Sequence, residues 1–296
     1  MSEVKKKLLH NQDLIIKIRE FFYSRNVIEV RTPSLLALPT TDVYIDSIEV
    51  NVNHNISRPD EQYLHTSPEL EMKKLLSKGS GDIFQICPVF RDNEYGKNNS
   101  NEFTMLEFYR IDFDIDLLMD EITELLKVLG KNESPTKISY AQAFFEFADI
   151  NILDADLKDL KKIARSLGLK SNDYEWIEDI QTLLFVHLIE PKIKQIPLCF
   201  IYDFPKEQSA LAKINGPIAK RFELYLNGVE VANGYEEIQS ADEYRDRFKG
   251  ELFKREKISK KVYSLDEVFL VDMKDGIPNC SGVAIGIERL FSSISL

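Results

Sequence analysis

The chain has 296 residues, 44% of them hydrophobic and 29% charged, with a net charge of −11. It is long enough for one large domain with an insertion, or for two domains. The acidity argues against a broad basic nucleic-acid surface while leaving room for a local patch. No apolar run is long enough to span a bilayer, and M-S-E-V-K-K-K lacks the apolar stretch of a signal peptide, so a cytoplasmic protein is expected.

Cys87, Cys199 and Cys280 are odd in number and far apart. They read as free thiols of a reducing compartment, without zinc-ligand spacing. The four histidines form no metal-binding cluster, and His65 and His187 read as structural.

The first clear helix is expected over 11–25, where Leu14, Ile18, Phe21 and Phe22 recur on one face. An extended run at Val27–Val30 then meets Pro33. Ile48–Val52 alternates as a strand, and Asn53 to Gln62 is a polar loop. Thr66-Ser67-Pro68-Glu69 reads as a helix start, with Pro68 at the first position and Thr66 with Glu69 as a capping box. Glu69 therefore has a structural reading beside any binding one.

Two aromatic-rich runs, I-F-Q-I-C-P-V-F-R from Ile83 and F-T-M-L-E-F-Y-R from Phe103, flank an Asn- and Gly-rich loop. That is the pattern of two antiparallel strands. Alternation puts Phe103, Met105, Glu107 and Tyr109 on one face, and Thr104, Leu106, Phe108 and Arg110 on the other. Asp114–Leu129 is a strong amphipathic helix stopped by Gly130. Residues 131–196 read as a helical insertion, with helices near 156–167 and 177–189.

Pro197–Asp203 reads as a buried strand. Asn227-Gly228 then joins two alternating runs, the strongest short hairpin signal. A regular two-residue turn sets Leu226 opposite Val229, Tyr225 opposite Glu230 and Glu223 opposite Ala232. Glu223 and Glu230 are then diagonal neighbours about 7–8 Å apart. Two such carboxylates read either as a solvated strand face or as the holders of a cation such as Mg²⁺ completed by phosphate oxygens. Ser240–Glu243 and Ser264–Glu267 read as capping boxes, the first opening a charged surface helix. In C-S-G-V-A-I-G-I-E-R-L from Cys280, the odd positions Val283, Ile285 and Ile287 face a core. The even ones are small, which points equally to tight packing and to close approach by a ligand.

F-R-D-N-E-Y-G…N-E-F-T-M-L-E-F-Y resembles motif 2 of the class II aminoacyl-tRNA synthetases. G-V-A-I-G-I-E-R resembles their motif 3, and the helix leading to Arg31-Thr32-Pro33 resembles motif 1. H-T-S-P-E and G-V-E-V-A-N-G-Y-E-E are similar to the lysyl branch. The motifs fall in order over nearly the whole chain. The motif 1 helix begins too early to leave length for an anticodon-binding barrel, so a free-standing catalytic domain over 1–296 is expected. In this the chain resembles the elongation factor P–(R)-β-lysine ligase family. The resemblance implies an α+β fold, an antiparallel sheet flanked by helices.

The resemblance also implies roles. Arg91 would bind the ATP α-phosphate, Phe103 would stack on adenine, and Arg289 would cover its other face. Asp92, Asn93 and Ser100 would lie along the ATP loop, Glu230 and Val231 beside ATP, and Gly286 would leave room for it. Glu223 and Glu230 would hold Mg²⁺. Ser67, Pro68, Glu69, Tyr109, Asn233, Glu237 and Ala284 would line the amino-acid pocket, with Glu69 and Glu237 on the substrate's two ammonium groups. Lysyl-tRNA synthetases have glycine where Ala284 stands, and a methyl there disfavours α-lysine by about 1–3 kcal/mol. The family motif F-R-x-E places Glu where Asn93 stands, so either Asn93 or Glu94 meets the adenine amine.

The implied reaction is activation of (R)-β-lysine as an adenylate and transfer to a lysine of elongation factor P, by a homodimer that uses no tRNA. The competing readings are a truncated lysyl-tRNA synthetase acting on tRNA and an inactive paralogue with a regulatory binding role.

Overall fold

The computed structural model of the chain describes residues 1–52, 61–94, 96 and 99–294. The polar loop expected from Asn53 lies outside them apart from its last two residues. The chain divides into two compact units, Met1–Asp114 with Glu237–Phe291, and Ile115–Glu236 with Ser292–Leu296.

The first unit opens with α1 (Glu3–Tyr23), which starts earlier than its apolar stripe because Ser2 caps it, its Oγ accepting from Lys5 N–H at 3.3 Å. Leu14, Ile18, Phe21 and Phe22 are its buried residues, as expected. Short strands β1 (Ile28–Glu29), β2 (Leu35–Leu36), β3 (Glu49–Asn51) and β4 (Glu61–Leu64) follow, then α2 (Glu69–Ser77), β5 (Ile83–Phe90) and β6 (Glu102–Ile111). β2, β4 and β3 make a small sheet, while β1 runs parallel to β5 and β5 antiparallel to β6. Phe22 stacks on Phe84 at 4.7 Å and meets Phe108 at 4.8 Å. The even face of β6 is thus the core face on α1, and the odd face is left for chemistry.

The second unit begins with α3 (Ile115–Val128), close to its expected bounds. The insertion is not wholly helical. It opens with β7 (Thr136–Ser139), parallel to a later strand. Four residues carry too little alternation to announce a strand. Then come α4 (Tyr140–Ala148), α5 (Leu157–Ser166), α6 (Ile177–Leu184), a π-helical stretch Phe185–Ile189 and α7 (Glu190–Ile193). Their core centres on Tyr140, stacked on Phe185 at 5.2 Å and 4.9 Å from Phe204. β8 (Leu198–Pro205), β9 (Ile214–Asn215), β10 (Ile218–Leu226) and β11 (Val229–Glu236) complete the unit in the order β11-β10-β8-β7, with β9 on β10.

The turn between β10 and β11 has φ +51° at Asn227 and +76° at Gly228, the type I′ geometry that Asn-Gly favours. Leu226 faces Val229 and Tyr225 faces Glu230 as expected, but Glu223 faces Asn233 rather than Ala232. A β-bulge leaves Val231 as an extra residue.

The first unit resumes with α8 (Ala241–Lys257), α9 (Glu267–Asp272) and β12 (Cys280–Gly286), which leads into α10 (Ile287–Ile294). Ser240 caps α8 through Asp242 N–H, and α9 is capped by Asp266, not by Ser264. The charged helix α8 is not purely a surface element, because it buries Tyr244, Phe248, Leu252 and Arg255. β12 pairs antiparallel with β6, from Cys280 opposite Ile111 to Gly286 opposite Met105. Val283 and Ile285 are buried, so the small even residues lie on the Glu107 face. Each unit is a mixed, mainly antiparallel sheet carrying helices, which is the expected α+β class.

Candidate active site

In the first unit the odd face of β6 carries the site. β5 sets Gln85 opposite Glu107 and Val89 opposite Phe103; β12 sets Gly282 opposite Tyr109 and Ala284 opposite Glu107. Gln85 Oε1 accepts from Thr32 N–H at 3.1 Å, which ties the Arg-Thr-Pro segment to this floor. His65 Nε2 lies 2.8 Å from Pro88 O. A carbonyl only accepts, so Nε2 carries the proton. Burial lowers the ring's pKa, and His65 is the structural residue expected.

The Thr66–Glu69 capping box does not form. Pro68 is the N-cap of α2, and Ser67 Oγ accepts from Glu69 N–H at 3.0 Å. The same hydroxyl donates to Glu107 Oε2 at 2.6 Å, and Tyr109 Oη donates to Glu107 Oε1 at 2.6 Å. Freed from capping, the Glu69 side chain accepts from Lys73 Nζ at 2.6 Å. Lys73 is wholly buried and also lies 2.7 Å from Glu237 Oε2. That oxygen accepts no hydrogen bond of good geometry in its buried place.

Burial raises the pKa of the Glu107 carboxyl, with Glu69 adding to the effect. Burial also raises Glu237, Glu69 and Glu107 adding and Lys73 opposing. Burial disfavours the Lys73 ammonium, yet Glu237 and Glu69 outweigh it and hold the amine well above its ordinary value. The cluster has more carboxyls than ammonium groups, and that excess is what a buried environment resists.

Gly282 lies under this cluster. A Cβ there would stand 2.3 Å from Tyr109 Cε1 and 2.9 Å from Glu237 Oε1. Ala284 borders an apolar patch with Cys87, Val89, Met105 and Phe103. The Arg91 guanidinium lies 5.1 Å from the Phe103 ring centroid, and Arg91 is fixed by mutual bonds with Asn101. Asp92 N–H donates to Asp46 O at 2.8 Å. Asn93 has φ +60° and is exposed, as is Ser100. Glu94 instead accepts from Asn99 Nδ2 at 3.2 Å, and Asn99 Oδ1 accepts from Arg289 Nη2 at 3.0 Å. A Cβ on Gly286 would meet nothing nearer than Arg289 Cδ at 3.9 Å, so the space above it is open.

In the second unit the bulge decides the grouping. By shifting the frame of β11 it puts Asn233 on the same face as Glu223 and Glu230. Regular pairing would have turned Asn233 away. Glu223 accepts from Arg221 Nη2 and, at 2.6 Å, from Tyr225 Oη. Asn233 accepts from Arg221 Nε at 3.2 Å and donates to Tyr235 Oη at 2.9 Å. Val231 has its side chain buried. No group of three or more His, Cys, Asp or Glu that could hold a metal occurs among the described residues. Two carboxylates suit a hard cation that a phosphate-bearing ligand helps to hold, and not a dedicated metal cage.

Sequence reasoning missed Lys73, Glu107, Gly282 and Arg221 as members of these clusters. A signal existed for Lys73. Glu69, Met72, Lys73 and Leu76 share one helical face, so the lysine stands on a buried stripe.

Residues 1–295 match the family described as tRNA synthetases class II (D, K and N). The chain is 40% identical over 291 residues to the elongation factor P–(R)-β-lysine ligase of Vibrio cholerae serotype O1, covering 96% of this chain and 90% of that one. Ligases of the same name from Avibacterium paragallinarum (40% over 287 residues) and Pectobacterium atrosepticum (39% over 291) are each matched over 96% of this chain and 89% of their own. With its motifs in order and a family match from end to end, the chain belongs to the class II tRNA synthetase family.

Proposed function

We propose that the chain is an ATP-dependent ligase that activates (R)-β-lysine as an adenylate and transfers it to a lysine side chain of elongation factor P. The names of the relatives support this, and family membership carries the use of ATP. The observation that carries the reading is the buried cluster of Glu69, Glu107 and Glu237, whose carboxyls outnumber its one ammonium, that of Lys73, and in which Glu237 Oε2 has that ammonium at 2.7 Å but no hydrogen bond of good geometry. A doubly cationic amino acid supplies further donors and the missing positive charge. Ser67, Pro68, Glu69, Tyr109 and Glu237 line its pocket, and Asn233 keeps the amino-acid-binding role that the family resemblance implies. The Ala284 methyl, opposite Glu107, favours the β-isomer over α-lysine.

Arg91, Phe103 and Arg289 take the nucleotide, with Asp92, Asn93 and Ser100 along its loop and Gly286 leaving space. The Glu94–Asn99–Arg289 chain favours Glu94 over Asn93 as the adenine contact. Val231 contributes its backbone, since its side chain is buried. Glu223 and Glu230 would hold Mg²⁺, which would neutralise phosphate charge. The amino-acid carboxylate, ionised at neutral pH without a base, attacks the α-phosphorus and pyrophosphate leaves. Arg91 and Arg289 stabilise the charge that develops. A neutral lysine amine of the factor then attacks the adenylate carbonyl, and AMP leaves.

The net charge of −11 favours docking of a basic face of the factor. We read the chain as one catalytic domain with 131–196 inserted. It works as a homodimer, for which α1 exposes Val4, Leu8, Leu9 and Ile16. Three buried free cysteines fit a cytoplasmic location, and no described helix is long and apolar enough to cross a membrane. The test is pyrophosphate exchange with (R)-β-lysine and α-lysine, followed by the mass of elongation factor P. Exchange that prefers (R)-β-lysine, with a matching mass gain, is expected. Preference for α-lysine with charging of bulk tRNA would overturn the reading.

A further inference from the structure

Lys73 is a lysine built into a pocket assigned to a lysine isomer. Its Nζ lies 2.6 Å from Glu69 Oε1 and 2.7 Å from Glu237 Oε2, the two carboxyls assigned to the substrate's ammonium groups. It is wholly buried, and its Nζ lies 5.4 Å from the Tyr244 ring centroid. An ammonium buried to that depth needs a compensating partner, and its own helix supplies one at i−4 with Glu69. The second contact reaches Glu237, just past the end of β11, so Lys73 joins two segments far apart in the chain.

We propose that Lys73 is a specificity-determining residue: as a resident counter-ion to Glu69 and Glu237, it sets the charge of the pocket so that a dication, and not a monocation, completes it. This rests on the ligase reading. With Glu69, Glu107 and Glu237 ionised and Lys73 charged, the cluster is left two negative charges in excess, the charge that two ammonium groups cancel. The titratable groups around Glu237 are Glu69 and Lys73 on α2, Glu107 and Tyr109 on β6 and Tyr244 on α8, with Cys280 of β12 near Tyr244. Lys73 is the only cation among these named groups. Lys73 opposes the burial that raises the Glu237 carboxyl, so without it that carboxyl holds its proton more firmly, and a neutral carboxyl no longer selects an ammonium group.

The experiment compares pyrophosphate exchange with (R)-β-lysine and with two monoamines, 3-aminohexanoate and 6-aminohexanoate, in the wild type, Lys73→Met and Lys73→Arg. The preference for the dication, as a ratio of kcat/KM values, should fall about thirtyfold or more in Lys73→Met. The acid limb of kcat/KM for (R)-β-lysine should move to higher pH, and KM for ATP should stay put. Lys73→Arg keeps the charge and should keep the preference. A folded Lys73→Met protein with an unchanged ratio and acid limb overturns the proposal. If that variant does not fold, loss of the preference in Lys73→Arg overturns it and retention supports it. A wild type that exchanges with no lysine isomer refutes the ligase reading instead. The same variants are then read by calorimetric binding of 1,4-diaminobutane, whose amines have the spacing of those of β-lysine, against butylamine, where an unchanged dication preference in Lys73→Met again overturns the proposal.

Discussion

Gly282→Ala is the sharpest test of how the pocket is held. The added methyl would stand 2.3 Å from Tyr109 Cε1 and 2.5 Å from Cδ1, both ring atoms with no flexible end to swing aside. Ordinary contact begins near 3.4 Å, so ring and strand must part by about 1 Å, and displacement on that scale costs about a hundredfold in rate where geometry is catalytic. The ring is pinned at its far end by the 2.6 Å bond from Tyr109 Oη to Glu107, so relief of the clash breaks that bond or moves Glu107 with it. Stability should fall by about 1–3 kcal/mol, the usual cost of overpacking. The assay is pyrophosphate exchange with (R)-β-lysine varied at saturating ATP and then ATP varied at saturating amino acid, alongside a thermal melt. The expected result is a loss of about a hundredfold in kcat/KM for the amino acid with KM for ATP nearly unchanged, because Phe103 and Arg91 are not touched. A folded variant within about threefold of wild type on the amino-acid side would falsify the account of the pocket.

Phe103→Ala should raise KM for ATP about tenfold or more, the scale of a lost base–aromatic stack, and leave amino-acid binding nearly unchanged in equilibrium titration. Because burial raises the Glu107 and Glu237 carboxyls, each ionises in the folded protein above its unfolded value. Stability is then lost as pH rises through those raised values, and the melting temperature without amino acid should be higher near about pH 5.5 than near about pH 8. A bound dication favours the ionised carboxyls, so binding at neutral pH should release protons, seen as a buffer-dependent heat in calorimetry; proton uptake would contradict the charge account. Arg255→Met removes a buried guanidinium that donates to Asp42 O at 2.6 Å and Asp46 Oδ1 at 2.9 Å. With Asp46 part exposed and still held by Lys260 at 2.8 Å, the cost should be about 2 kcal/mol in chemical denaturation, less than for a fully buried pair. KM for ATP should rise with it, because Asp46 O anchors Asp92.

Much of the first unit's sheet was legible because period-two alternation is local. Phe103, Met105, Glu107 and Tyr109 share a face as read, and Val283 and Ile285 point to the core as read. What escaped depends on partners far along the chain. Lys73 looks like any solvated lysine until Glu237 arrives from beyond 160 intervening positions. The capping box at Thr66 fitted the local pattern, but Ser67 lay nearer the helix start and its hydroxyl met both Glu69 N–H and Glu107. β7 was hidden because its pairing with β8, and not its four residues, makes it a strand. The register of β10 and β11 was right at the turn and wrong beyond Tyr225, since no local residue preference announces the bulge at Val231.

That one unpaired residue has a consequence for how the hairpin can vary. Side chains on a strand obey parity, and the extra residue switches parity between Glu230 and Asn233. Insertions or deletions of two residues in the arm between turn and bulge keep both on one face, whereas a change of one sends them to opposite sides. Sequence drift in this arm is therefore quantised in steps of two, and a loss of Val231 alone should uncouple Asn233 from Glu230 while leaving every named side chain in place.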